Sequence, residues 1–238
     1  MKKICLILFV ALVSFSQTHL HAQKAKKTPF NHAFTNPVDK ADLPRVLIIG
    51  DSISIGYTPR VRLLLDGKAN IHRPTKNCRW SAFGDKEIEK WLGNTEWDII
   101  HFNFGLWDWY GWAQKVKSTP ESYAASLDSI ITKIKKKSHA KIIFAMTTPP
   151  CVGPERKVKF VVSDARAKAF NDAARSVMKK HDIQINDLYQ VIAKDRAKYQ
   201  RGENNVHYTD EGRYLLAAQV AKIITQTLAK IQINSHEK

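Results

Sequence analysis

The chain has 238 residues, 44% of them hydrophobic and 25% charged, with 10 Gly, 9 Pro and 3 Cys. These proportions exclude a collagen-like, disordered or disulfide-scaffold protein, and the length suits one domain around one sizeable core. The 38 basic and 22 acidic side chains give a net charge of +16, which constrains the partners more than the fold.

Lys2 and Lys3 precede an apolar run over residues 4–15, polar residues follow from Ser16, and the small Ala22 stands before Gln23. The run is too short for a bilayer span, which takes about 20 residues, so residues 1–22 read as a secretory signal peptide and not as a transmembrane anchor. Cleavage after Ala22 removes two lysines and no acid, lowering +16 to +14. An exported chain, periplasmic or extracellular, has no nucleic acid to bind, so the basic surface points to an acidic polysaccharide or an anionic membrane surface. Residues 23–44, with Lys24, Lys26 and Lys27 and little apolar periodicity, are expected to form an exposed leader. Residues 45–234 then make a single domain.

The domain opens on a β-branched run closed by Gly50, and similar short runs recur over residues 69–72, 97–103, 140–146 and 183–186. Helical periodicity lies between and after them, most clearly over 85–92, 120–137, 164–180 and 210–230. Strands alternating with helices make a parallel sheet covered on both faces, a three-layer α/β/α sandwich. In such folds ligands bind beyond the carboxyl ends of the strands, which directs attention to the loops after Ile49, Phe102, Met146 and Ile185. Cys78 and Cys151 fit either one disulfide or two separate buried thiols. No Cys/His cluster has zinc spacing, and no metal or other cofactor is expected.

The first of these loops begins Gly50-Asp51-Ser52. A serine at a strand end, just ahead of a helix, sits where free backbone N–H groups can hold a developing oxyanion. The bland alternative is a glycine turn followed by a helix cap. Far along the chain, Asn204-Asn205-Val206-His207 runs into Thr209-x-Glu211, a helix-start signature, and His207 is a candidate general base.

Together these residues resemble the SGNH, or GDSL-type, hydrolase family, whose first block is Gly-Asp-Ser after strand one and whose last is Asp-x-x-His before the C-terminal helix. Residues 100–108, Ile-His-Phe-Asn-Phe-Gly-Leu-Trp-Asp, resemble the third block of secreted bacterial members. The resemblance implies a flavodoxin-like five-stranded sheet and hydrolysis of an ester, often on a carbohydrate, with Ser52 as nucleophile and His207 as base. It also exposes departures. Asn204 stands where the family has its catalytic Asp, which implies a Ser–His dyad, a weakened enzyme, or compensation by Glu203 or Asp210. Trp107 occupies the position of the family's oxyanion Asn, so Gly105 and the Trp107 indole remain as donors, with Asn103 nearby. Cys78 or Arg79 falls at the glycine of the second block.

Trp107, Trp109, Tyr110 and Trp112 cluster after the third strand, with Trp80 in another loop of the same face. As a group they suit sugar rings or acyl chains, although any one of them could be core. Basic residues gather at 133–137, where they suit the solvated end of a helix, and at 156–159, where Arg156, with Arg79, could hold an acidic glycan. The expected function is a secreted serine esterase that removes O-acetyl groups from a carbohydrate. Two other readings fit the same residues: a lipid esterase or lysophospholipase, and a non-catalytic glycan-binding protein on a hydrolase fold.

Overall fold

A computed structural model describes residues 30–110, 118–151 and 163–236 of the chain. Five strands, β1 (Arg45–Ile49), β2 (Asn70–His72), β3 (Ile99–Phe102), β4 (Lys141–Ala145) and β5 (Gln184–Asn186), form one sheet in the order β2-β1-β3-β4-β5. Every pairing is parallel. The helices are α1 (Ser52–Leu64), α2 (Ser81–Leu92), α3 (Leu106–Tyr110), α4 (Pro120–Lys137), α5 (Asp164–His181), α6 (Leu188–Ala193), α7 (Arg196–Tyr199) and α8 (Asp210–His236).

Strand order and handedness together fix the layers. From β1 to β2 the chain moves one way along the sheet; from β2 through β3 and β4 to β5 it moves the other. Right-handed crossovers therefore put α1 on one face and α2, α4 and α5 on the opposite face. The packing agrees: α2 lies on α4 and α4 on α5, whereas α8 returns to cover α1. The reversal falls between β1 and β3, and there the two outgoing loops part and leave a crevice at the carboxyl edge.

The sheet is apolar on both faces because both are covered. Val46, Ile48, Ile49, Ile99, Ile100, Phe102, Ile143 and Phe144 are all fully buried, which is why the strands read as continuous hydrophobic runs and not as alternating ones. Buried polar side chains on the strands, among them His101 and Asn186, interrupt this core. Burial pushes the His101 imidazole down to about 4, so it stays neutral and accepts a hydrogen bond from Asn186 Nδ2 at 3.1 Å. Asn186 Oδ1 in turn accepts from Gln219 on α8 at 3.1 Å.

Helix ends follow local chemistry. α4 starts at a capping box in which Thr119 and Ser122 satisfy each other's backbone N–H, with Pro120 at the first helical position. The lysines at its far end do more than face solvent. Lys137 donates to Glu89 O at the end of α2, and Lys135 to His181 O at the end of α5, so each supplies a cation to a neighbouring helix's carboxyl terminus.

Much of the expected leader is exposed, yet from Phe30 onward it is fastened to the domain. A 3₁₀ turn over Phe30–Phe34 packs on α1. Arg62 donates to His32 O, Thr35 O and Asn36 Oδ1. Residues 23–29 and the signal-like segment lie outside the described residues. Cys78, buried, and Cys151, half-buried, are both free thiols. Among the described residues no helix is long and apolar enough to cross a membrane, and no group of His, Cys, Asp and Glu could hold a metal ion.

Candidate active site

Ser52 is the first residue of α1, directly beyond β1. The N-cap is Asp51, fully buried, whose Oδ1 accepts from Ile53 N–H at 2.8 Å. The cap reading of the Gly-Asp-Ser turn is thus correct for Asp51, and it leaves Ser52 projecting from the start of the helix. His207 comes from the loop that enters α8. Its Nε2 lies 3.1 Å from Ser52 Oγ, across 155 residues of sequence, which is hydrogen-bond reach between a nucleophile and a base.

Buried ionisable groups hold the turn that carries Ser52. Arg73, 1% exposed, donates to Gly50 O and Lys76 O, to Ser54 Oγ and to Thr58 Oγ1. Burial, with Asp108 as a further like charge, pushes the Asp51 carboxyl up to about 7, against the pull of Ile53 N–H and Arg73. Asp108, the last residue of the third block, is buried and pushed up to about 6 by desolvation, with Ser81 and the backbone N–H groups of Gly105 and Asp108 opposing. Its carboxylate accepts from Ser81 Oγ at 2.6 Å and from Ser81 N–H at 3.1 and 3.2 Å. It thereby caps α2, which has no cap from its own Trp80, and ties the second and third blocks together.

The histidine loop is held mainly by neutral backbone and amide bonds. Asn205 O accepts from Cys151 N–H, Asn205 Oδ1 from His207 N–H, and His207 O from Arg201 N–H. Burial lowers the His207 pKa, and the cations Arg201 and Arg213 lower it further. Asp210, one candidate substitute for the missing catalytic acid, is paired with Arg213 at 3.1 Å and Arg60 at 3.3 Å. Glu203, the other, is exposed. Asn204 takes a left-handed conformation (φ 55°) and lines the site beside His207.

Ser52, His207, Asn204, Trp107, Tyr110 and Asn77 meet at one pocket of about 460 Å³. The other expected site residues are placed differently. Cys78 is buried and its N–H is engaged by Gly50 O at 3.3 Å; burial pushes its thiol up to about 11, which keeps it protonated. Arg79 has φ 59°, a region that favours glycine, and so marks the family's glycine position, but its N–H donates to Asn77 Oδ1 at 2.8 Å. Asn103 is buried and donates to Ala145 O at 2.6 Å, bracing β3 against β4. Gly105 has φ +135°, and a Cβ there would come within 3.0 Å of Thr147 and 3.2 Å of Tyr123; its N–H acts on the Asp108 carboxylate.

The tryptophans divide. Trp109 is core, 1% exposed, whereas Trp107 is half-buried at the pocket and stacks on Trp80 with ring centres 6.1 Å apart and planes 21° apart. Arg79 lies over the Phe83 ring at 4.9 Å, at the edge of the same aromatic group. Trp112 and Arg156 lie outside the described residues. Sequence reasoning overlooked Asn77 as a pocket residue and Arg73 as the brace beneath it. The signal for Asn77 was an Asn two residues ahead of a turn that needs a left-handed backbone; Arg73 gave none.

A larger groove, about 1010 Å³, lies at the opposite, amino edge of the sheet, lined among others by Asp39, Arg45, Asp98 and Lys141. Neither Ser52 nor His207 borders it, and the chemistry belongs to the smaller pocket. A hydroxyl in contact with an imidazole, at the carboxyl edge of a flavodoxin-like sheet, is the arrangement of a serine hydrolase.

The sequence profile described as the GDSL-like lipase/acylhydrolase family matches residues 48–215. The chain belongs to that family and is a serine hydrolase acting on esters. Solved structures share the fold at low identity. An acetyl xylan esterase superposes with a TM-score of 0.63 at 14% identity, covering 76% of this chain and 99% of its own. A GDSL-like lipase from Bacteroides thetaiotaomicron gives 0.62 at 19% identity, covering 82% and 94%. A carbohydrate acetylesterase from Sinorhizobium meliloti gives 0.59 at 13% identity, covering 77% and 99%. No curated protein matches the sequence.

Proposed function

We propose that the chain is an exported esterase that removes O-acetyl groups from a carbohydrate, with Ser52 as nucleophile and His207 as base. The observation that carries the catalytic assignment is the 3.1 Å contact between Ser52 Oγ and His207 Nε2 at the mouth of one pocket. In this reading His207 takes the Ser52 hydroxyl proton as Oγ attacks the acyl carbon. The electron pair of the carbonyl moves onto its oxygen, and the N–H of Ser52 at the start of α1 donates to it. Collapse expels the sugar oxygen, which receives the proton from His207 and leaves an acetyl-enzyme. Water, deprotonated by the same imidazole, then releases acetate.

Three features favour a carbohydrate over a lipid. The pocket is small, its lining includes the aromatic rings of Tyr110 and of Trp107, which is steadied by stacking on Trp80, and two of the structurally similar proteins are an acetyl xylan esterase and a carbohydrate acetylesterase. Export rests on the signal-like residues 1–22, and the basic surface suits an acidic polymer. The test is acetate release by residues 23–238 from acetylated polysaccharides, neutral and acidic, beside p-nitrophenyl acetate. Ser52→Ala and His207→Ala are each expected to lose at least about 10³ in kcat with unchanged thermal stability. Equal rates in the parent and in Ser52→Ala would refute the assignment.

A further inference from the structure

The serine esterase reading leaves one electrostatic demand unmet. A tetrahedral oxyanion needs preorganised donors aimed at it, and a single removed donor costs such enzymes about 10²–10³ in kcat. The backbone donors expected of this chain are engaged elsewhere. The Cys78 N–H is spent on Gly50 O and the Arg79 N–H on Asn77 Oδ1, and the Gly105 N–H acts on the Asp108 carboxylate. Trp107 stands where a side-chain amide was expected. The Ser52 N–H, at the start of α1, is the backbone donor that remains.

Of the three asparagines that border that pocket, Asn204 and Asn205 belong to the histidine loop, and Asn77 lies on the loop tied to the nucleophile turn. Asn77 lines it together with Ser52 and His207. Its side-chain oxygen is fixed by the 2.8 Å bond from Arg79 N–H, an Asx turn that determines which way the planar amide faces. With Oδ1 committed to the backbone, Nδ2 is the remaining polar atom of the side chain, and it carries two protons. The loop that bears it is clamped to the nucleophile turn twice, by Cys78 N–H on Gly50 O and by Arg73, which bridges Gly50 O and Lys76 O. An amide held by a fixed turn on a braced loop is preorganised in the way that stabilising a transient charge requires.

We propose that Asn77 Nδ2 is a catalytic oxyanion donor of this esterase, so that the side-chain amide has moved from the loop after β3 to the loop after β2. The inference rests on Ser52 being the nucleophile. It also accounts for Trp107: once the amide is supplied from residue 77, the position two residues beyond Gly105 is released to carry an aromatic wall.

The experiment uses Asn77→Ala and Asn77→Asp in residues 23–238, with p-nitrophenyl acetate and the corresponding thionoester as substrates. The aspartate variant keeps an oxygen for the Arg79 N–H but has no amide donor; the alanine variant has neither. Both are expected to lose about 10²–10³ in kcat on the oxygen ester with KM within threefold of the parent. Because sulfur is a poor acceptor, the thionoester rate is expected to fall far less. If Asn77→Asp runs at the parent rate, or Asn77→Ala slows both esters alike, the amide only builds the turn and the proposal falls. A loss confined to KM would overturn it too. If the parent itself is no faster than Ser52→Ala, the serine reading fails before Asn77 is reached, and the two failures are distinguishable.

Discussion

The two loops that meet at the pocket are built from different materials. The turn carrying Ser52 rests on buried ionisable groups: Arg73 spans Gly50 and Lys76, Asp51 caps α1, and Asp108 caps α2 from across the site. The loop carrying His207 is held by backbone and amide bonds, and the charges that act on the imidazole are the cations Arg201 and Arg213. Desolvating ions is expensive, and a fold that spends this on the nucleophile side fixes that side hard. On the histidine side the same fold supplies cations, which favour a neutral base and disfavour the imidazolium that catalysis must pass through. The nucleophile is therefore over-determined in position, and the base is under-supported in charge.

Removing the brace is the strongest way to break this contrast. Arg73→Met keeps much of the volume but leaves Gly50 O with only the Cys78 N–H and Lys76 O with only the weak Cys78 thiol donor, and under-satisfied buried groups cost about 1–3 kcal/mol each. The variant is expected to lose about 3 kcal/mol of stability in urea titrations and to lose kcat as well, because the Ser52 turn and the Asn77 loop keep only one of their two ties, the Cys78 N–H on Gly50 O. Unchanged stability would show that the turn holds itself.

Supplying the missing charge sharpens the contrast from the other side. Asn204→Asp is compatible with the left-handed backbone at that position, which Asn and Asp both tolerate. A carboxylate there stabilises His207 in its protonated form, and kcat is expected to rise about tenfold. The acid limb of the pH–rate profile should move up at the same time. A variant with no gain would place the support of His207 elsewhere.

The smallest effect concerns pH alone. The His207 pKa is lowered from 6.5 by burial, Arg201 and Arg213, so the neutral base persists as pH falls and the acid limb of kcat/KM lies below 6.5. Arg213→Gln removes one of the depressing cations, so the pKa rises and the limb shifts upward by a few tenths of a unit. At pH 6 this variant should be slower than the parent and at pH 8 equal to it, a difference that high salt should shrink.

Most of the fold was legible because its signals are local. All five strands lie where short β-branched runs predict them, and α4 starts at Pro120 because the Thr119 cap and the proline are adjacent in sequence. The pairing of Ser52 with His207 was legible through a resemblance that links two distant blocks. What was hidden depends on which partner a group finds in space. Nothing in the string Asn77-Cys78-Arg79 says that the Cys78 N–H will turn to Gly50 O. Trp107 and Trp109 are two residues apart on one short helix, and their separate fates follow from which side of it meets the sheet. Arg73 looks like any basic residue at a strand end; its burial comes from the nucleophile turn folding over it. The fastening of the exposed leader from Phe30 onward was hidden for the same reason: a polar, aperiodic segment carries no pattern of its own, but its amides bond to a strand already in place.

That fastening concerns aggregation. β2 is an outer strand of a parallel sheet, and the side away from β1 would present unpaired backbone groups to any other chain. The Asn36 side chain donates to Arg73 O and accepts from Arg73 N–H, imitating a neighbouring strand just past β2. Asn70, on β2 itself, exchanges bonds with Lys40 N–H and with Lys40 O and Leu43 O. Residues 36–43 thus act as a sheath over a sticky margin. A chain begun at residue 45 would keep every catalytic group and still tend to self-associate through that bared edge.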